Sequence, residues 1–200
     1  MSKITTEIPF QGFELIREKI GEILADEILA QFAIHADPER NATVFIERII
    51  PIDKTETPVV NILYSRSNYD GNTPVNSNGK NSYNIDVYAR AKTKIAKSGD
   101  TQAMSNLTRI LGIVRAILES SHYLTLGFVP PFVMHTEVTS IEIQDPKDNQ
   151  DGANIMMGRL MFVVDAVEDT EKIQPREAEG YDTQVKLEET DKGFAFILNN

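Results

Sequence analysis

The chain has no cysteine. That excludes a disulfide framework, a thiolate nucleophile and the usual thiolate zinc sites, and it fits a reducing compartment. Long apolar runs are missing too: nothing approaches the about 20 residues of a membrane span. Residues 1–7 are polar and carry Glu7 where a secretory signal needs an apolar run. The expectation is a protein made and kept in cytoplasm, with no membrane partner. Basic residues are scarce, with 20 Lys and Arg against 30 Asp and Glu, a formal net charge of -10. Nonspecific nucleic-acid binding, which needs clustered cations to displace counterions from phosphates, is therefore disfavoured outside a local basic patch.

Motifs that would carry chemistry are equally scarce. Neither Gly-x-x-x-x-Gly-Lys nor Gly-x-Gly-x-x-Gly occurs, and Ser121-His122 lacks a Gly-x-Ser-x-Gly frame. The acidic turn at residues 145–152 resembles a calcium loop only superficially. An EF-hand frame ending in Asp151-Gly152 puts Lys147 at the first ligand position and Gly158 where a bidentate Glu is required. His35, His122 and His135 fall on a helix end, a loop and a strand, without the paired spacing of a zinc site. The reading is a protein without catalytic residues, metal or cofactor.

What is present is an ordinary globular composition, 41% hydrophobic and 25% charged, long enough for a real core. Residues 10–32 place Phe13, Ile16, Ile20, Ile23, Leu24, Ile28 and Phe32 at helical spacing, with Glu27 the one polar break. Residues 43–50 read as a strand of uncertain face, and residues 58–65 as a central strand buried on both sides. Residues 66–81 carry Asp70-Gly71, Asn78-Gly79 and Pro74 and read as one long polar loop closing an antiparallel hairpin, the first candidate for a contact surface.

Residues 82–89 alternate: Tyr83, Ile85, Val87 and Ala89 on one face, Ser82, Asn84, Asp86 and Tyr88 on the other. Asp86 and Tyr88 are expected to face water or a neighbouring subunit, with a substrate contact as the alternative. A basic connection with Arg90, Lys92, Lys94 and Lys97 follows. Its plain account is a solvated connection, and its functional account is a contact with an acidic partner or passing DNA.

Leu107, Ile110, Leu111, Val114, Ile117 and Leu118 then form a helical stripe, with Asp100, Thr101 or Ser98 as the N-cap. Residues 133–143 predict a strand whose phase is broken by a bulge or an edge position. Residues 154–167 predict its long antiparallel partner. From Glu168 the composition turns linker-like. The last twenty residues offer a hairpin, 181–188 and 194–198 around a turn at 190–193, that needs a partner surface because two strands alone are marginal in water.

These elements give an α/β (α+β) fold: a mainly antiparallel sheet packed by two principal helices, with a C-terminal β-hairpin extension. The domain reading is residues 1–168 and an extension over 169–200. The order helix, two or three strands, helix, strand pair resembles the tail terminator proteins of long-tailed bacteriophages. The parts that carry it are the first helix, Pro58-Val59-Val60-Asn61-Ile62-Leu63-Tyr64, the polar loop, Tyr83-Asn84-Ile85-Asp86-Val87-Tyr88-Ala89, the helix at 107–118 and Leu160-Met161-Phe162-Val163-Val164.

The resemblance implies a ring of identical subunits, a hexamer, on the end of the tail tube. It would stop tube growth and present the surface for neck or head-completion proteins. The location implied is the virion, at the tail–neck junction, after assembly in host cytoplasm, with DNA only as passing cargo. Arg66, Tyr69, Lys80, Asp86, Tyr88, Arg90, Lys92 and Lys94 are the candidate subunit or tube contacts. Family members are often shorter than this chain, so Val185, Leu187, Phe194, Phe196 and Leu198 of the extension are candidate contacts to a neighbouring subunit or, in a contractile tail, to the sheath. Two alternatives stand beside this reading: a neck or head-completion protein, and, from a different class, a small cytoplasmic enzyme or ligand-binding protein using the polar strand face and the 66–81 loop.

Overall fold

The structure is a computed structural model that describes residues 7–35, 41–49, 58–70, 77–90, 99–130, 132–144, 155–168, 182–187 and 190–197. The chain divides into two compact units, Phe10–Thr170 and a smaller one of Met1–Pro9 with Glu171–Asn200. The larger unit contains α1 (Gly12–His35), β1 (Thr43–Ile46), β2 (Val59–Asp70), β3 (Ser77–Arg90), α2 (Gly99–Leu118), β4 (Val133–Gln144) and β5 (Ile155–Glu168). Its five strands lie in the order β1-β2-β3-β5-β4, with β1 parallel to β2 and every other neighbour antiparallel. This is an α+β fold with a mostly antiparallel sheet.

Both helices pack on the same face of the sheet, α1 over β1 and β2, α2 over β3, β5 and the near side of β4. Strand alternation selects what they cover. Val60, Ile62, Tyr83, Ile85, Val87, Leu160, Phe162 and Val164 enter one core with Ile16, Ile20, Leu24 and Ile28 of α1 and Leu107, Ile110, Val114 and Leu118 of α2. Each such side chain contributes about 1.5–3 kcal/mol by leaving water. Glu14 starts α1 by reaching back to accept the Gln11 amide at 2.8 Å, half of a capping box. Glu27, the polar break in the stripe, accepts a hydrogen bond from the Tyr123 hydroxyl.

Two glycines mark where layers come closest. A Cβ on Gly21 would stand 2.5 Å from Ile46 Cδ1, and one on Gly158 would stand 2.6 Å from Leu111 Cδ1. Gly21 therefore lets α1 lie against β1, and Gly158 lets α2 lie against β5.

Several expectations need correction. The first strand ends at Ile46 rather than residue 50, because Glu47 turns into the left-handed region with φ of 53°. Its carboxylate then accepts the Tyr64 amide at 2.6 Å, and Asn61 exchanges two hydrogen bonds with the Arg48 backbone, at 3.1 and 2.9 Å. Side chains thus continue the pairing that the short strand gives up.

The predicted loop at 66–81 is mostly strand. β2 runs on to Asp70 and β3 starts at Ser77, paired from Arg66↔Ser82 to Asp70↔Asn78 after an irregularity between Tyr64 and Arg66. β5 pairs with the same stretch of β3 on its other side, from Ser77↔Glu168 onward. Two flanking strands satisfy the backbone there, which outweighs the turn preference of Asn, Ser and Gly. Residues 71–76 lie outside the described part.

Asp100 and Thr101 sit inside α2, which begins at Gly99, so neither is the cap, and Ser98 lies outside the described residues. The helix ends at Leu118, and the Ser120 hydroxyl then accepts the His122 amide at 3.3 Å to open a short 3-10 helix, Ser121–Tyr123. β4 is an edge strand and also has register breaks, at Val133/His135 and Val138/Ser140.

In the smaller unit β6 (Asp182–Leu187) and β7 (Thr190–Ile197) form an antiparallel pair. The turn expected at 190–193 is strand instead: Gly193 pairs with Lys186 and Thr190 with Leu187 across a register shift. The acidic turn at 145–152 and the linker at 169–180 lie outside the described residues.

Candidate functional site

The helices cover one sheet face, so the other is where polar and charged side chains gather. Residues paired across strands share a face. The register therefore places Arg66, Lys80, Asp86 and Tyr88 together on the face opposite the helices. Tyr69 pairs with Gly79 and falls on the helix side, with 49% of its surface exposed.

One row on this face runs Asn61, Asp86, Arg159, Glu142 across β2, β3, β5 and β4. Asp86 is only 1% exposed, which corrects the expectation that it faces water. Arg159 Nε donates to Asp86 Oδ1 at 2.7 Å and Nη2 to Oδ2 at 2.8 Å, a bidentate pair with the geometry that guanidinium and carboxylate match best. The hydrogen bond to Asp86 is the main reason the guanidinium is held above its ordinary value. Asp86 thus works as an internal tie between β3 and β5.

Tyr88 lies one row away, opposite Val59 and Met157, and is half-buried. Burial pushes its phenol up, and the neighbouring Asp86 charge adds to that while Arg159 opposes it. Lys80 sits at the other end of the face. Its Nζ is 3.9 Å from Asp165 Oδ1 and 4.0 Å from Glu137 Oε1, and His135 Nε2 is 3.8 Å from Glu137 Oε2. The two exposed Lys80 pairs are each worth about 0–1 kcal/mol, so the cluster is a charged surface more than a structural one. Arg66 is exposed opposite Ser82.

Arg90 ends β3 opposite Ile155, while Lys92, Lys94 and Lys97 lie outside the described residues. In the hairpin Val185 pairs with Phe194, Leu187 with Thr190 and Phe196 with Thr183, and Leu198 lies outside the described part.

A second feature lies on the helix side. Between the C-terminal halves of α1 and α2 an open groove of about 470 Å³ is lined by Glu27, Gln31, Arg109, Ile113, His122 and Tyr123, among others. The Tyr123 phenol is raised first by its hydrogen bond to Glu27, then by burial and by the Glu27 charge. That holds the proton on Tyr123 and spends it on Glu27, so the pair offers acceptor oxygens to a polar ligand rather than a phenolate nucleophile. Among the described residues no group of three His, Cys, Asp or Glu could hold a metal ion. No described helix is long and apolar enough to cross a membrane.

Sequence reasoning did not single out Arg159 or the Glu27–Tyr123 pair. A signal for each existed. Arg159 is the one cation in an apolar strand, and Glu27 interrupts an apolar stripe; a buried polar group in either place needs a partner. No protein-family model matches the chain, and no curated protein matches it.

Proposed function

We propose that this is a structural virion protein that forms a ring on the end of a phage tail tube. It ends tube polymerisation there and offers the attachment surface for neck or head-completion proteins. The observation that carries the reading is where the resembling segments fall. Residues 59–64, 83–89 and 160–164 belong to β2, β3 and β5, three consecutive strands at the centre of the sheet, and the stripe at 107–118 belongs to α2, which packs on two of them. The likeness therefore rests on one contiguous core. A sheet backed by helices on one side leaves its other face and its edges for lateral and axial neighbours, which a ring subunit needs. Leu63, Met157 and Met161, half-buried on that face, supply apolar surface between the charged rows.

Purified full-length protein tests this by negative-stain microscopy with native mass measurement. Closed rings, six subunits each, are expected; a monodisperse monomer at high concentration would overturn the reading. A neck protein would form rings as well, but it would bind an already capped tail and leave tube growth unaffected.

The groove beside Glu27 and Tyr123 favours one reading from a different class, a small ligand-binding protein or enzyme. Its lining includes Arg109, His122 and Gln31 together with the apolar Ile113, Ala116 and Ile117. Tyr123→Phe separates the two, since it would weaken ligand binding in the groove and leave ring formation and tube capping intact.

A further inference from the structure

Among the described residues, the far half of β4 has a strand on one side only and carries exposed apolar side chains. β4 closes one side of the sheet and pairs only with β5 among the described residues. Its register breaks fall before Ser140, and such breaks normally blunt an edge. Over residues 140–144 the register runs without interruption, and the stretch Ser-Ile-Glu-Ile-Gln contains neither proline nor lysine. Ile141 and Ile143 pair with Leu160 and Gly158, so both lie on the helix-side face, yet they remain 40% and 49% exposed. Glu142 is exposed on the other face, opposite Arg159. Because Arg159 already gives two hydrogen bonds to Asp86, the row of two acids and one base keeps an uncompensated negative charge at the edge.

The C-terminal hairpin has the complementary need. A two-stranded sheet is marginal by itself, and β6 pairs only with β7 among the described residues. Its sequence includes Val185-Lys186-Leu187, apolar-basic-apolar, against Ile141-Glu142-Ile143, apolar-acidic-apolar. The register shift between Lys186 and Leu187 takes its extra residues from β7, so β6 itself runs on, and strand alternation puts the middle residue of each triplet on one face of a shared sheet and the flanking pair on the other. Setting Lys186 opposite Glu142, in either strand direction, brings Val185 and Leu187 opposite the two isoleucines. Pairing of β4 with a second β4 in the register that matches the isoleucines would instead set Glu142 against Glu142, which like charges disfavour.

We propose that β6 of one copy adds to the β4 edge of a second copy, so that the hairpin extends that copy's five-stranded sheet. Residues 169–181 connect β5 to β6, and a chain of that length can span up to about 45 Å, enough to leave its own subunit. Pairing of this kind joins copies whether or not the assembly caps a tail tube, so it stands or falls separately from the function proposed above.

The absence of cysteine makes a direct test possible. Full-length Glu142→Cys and Lys186→Cys variants are mixed in equal amounts under mild oxidation. Residues directly opposite in paired antiparallel strands have Cα atoms about 4.5–5.5 Å apart, within disulfide range. The expected main product is the mixed disulfide between the two variants. Homodisulfides in equal amount, or no mixed disulfide from folded variants, would overturn the proposal. So would a cyclised monomer as the main product of the double cysteine variant, which would show the hairpin on its own subunit. Lys186→Glu is expected to weaken self-association about tenfold, or about 1.4 kcal/mol, and Glu142→Lys in the same chain to restore it. Association indifferent to both changes would overturn the pairing.

Discussion

Arg159 on β5 holds Asp86 on β3 through two parallel hydrogen bonds of 2.7 and 2.8 Å, in the middle of the sheet face that carries no helix. The carboxylate is almost wholly buried, so the pair must be kept or removed as a unit. Breaking a buried pair from one side strands a charge at a cost of about 3–5 kcal/mol, whereas replacing both members by apolar residues is often near neutral. Arg159→Leu is therefore expected to lower unfolding free energy by about that amount, and Asp86→Leu/Arg159→Leu to recover most of it. Urea unfolding of the single and double variants measures this. A silent Arg159→Leu would mean the tie is not needed for the sheet.

The glycines give predictions of opposite sign. Gly21→Ala and Gly158→Ala each force a methyl within 2.5–2.6 Å of a neighbouring side chain, Ile46 or Leu111. Overpacking of this kind costs about 1–3 kcal/mol, which outweighs the gain in helix propensity at Gly21. Gly112 is exposed in α2, and a Cβ there meets nothing within 4 Å. Gly112→Ala is expected to stabilise by about 0.5–1 kcal/mol through helix propensity alone. Thermal unfolding of the three variants should give two losses and one gain.

Alkaline stability follows from two phenols. Burial first, then the Asp86 charge, raises Tyr88 above the usual 10.0, and the hydrogen bond to Glu27, followed by burial and the Glu27 charge, raises Tyr123. A folded value above the unfolded one means the folded state keeps these protons longer. The resulting stability is fully present below pH 10 and is lost as pH rises through the folded values. Phenolate absorbance of the folded protein should therefore rise at higher pH than that of the chain in urea. Tyr88→Phe and Tyr123→Phe should each remove part of the displacement, and identical folded and unfolded titrations would contradict it.

The basic connection after β3 tests the contact residues. Reversing Arg90, Lys92 and Lys94 to Glu together is expected to abolish tube capping in moderate salt while circular dichroism and unfolding of the subunit stay unchanged. Capping at the wild-type level would remove these residues from the contact surface.

Much of the fold was legible from periodicity. Tyr83, Ile85, Val87 and Ala89 alternate in sequence and all four are buried on the helix side. The stripe from Leu107 to Leu118 is likewise the buried face of α2. What stayed hidden depends on neighbours distant in sequence. Asn78, Gly79 and Asn81 look like turn residues until β5 pairs along them, and Asp86 looks solvent-facing until Arg159, 73 residues away, is set beside it. Glu47 gives no local sign of its left-handed turn, because its stabilising partner is the Tyr64 amide of the next strand. The contact residues divided in the same way: alternation alone put Asp86 and Tyr88 on one face, whereas Arg66 and Lys80 joined them only through the pairing of a stretch that reads as a loop.

The most direct measurement of the central claim is the length distribution of tail tubes polymerised from the cognate tube protein with and without this protein, read by electron microscopy. Growth is expected to stop when the protein is added, with a ring at one end of each arrested tube. Tubes that keep growing at the same rate, with bare ends, would contradict it.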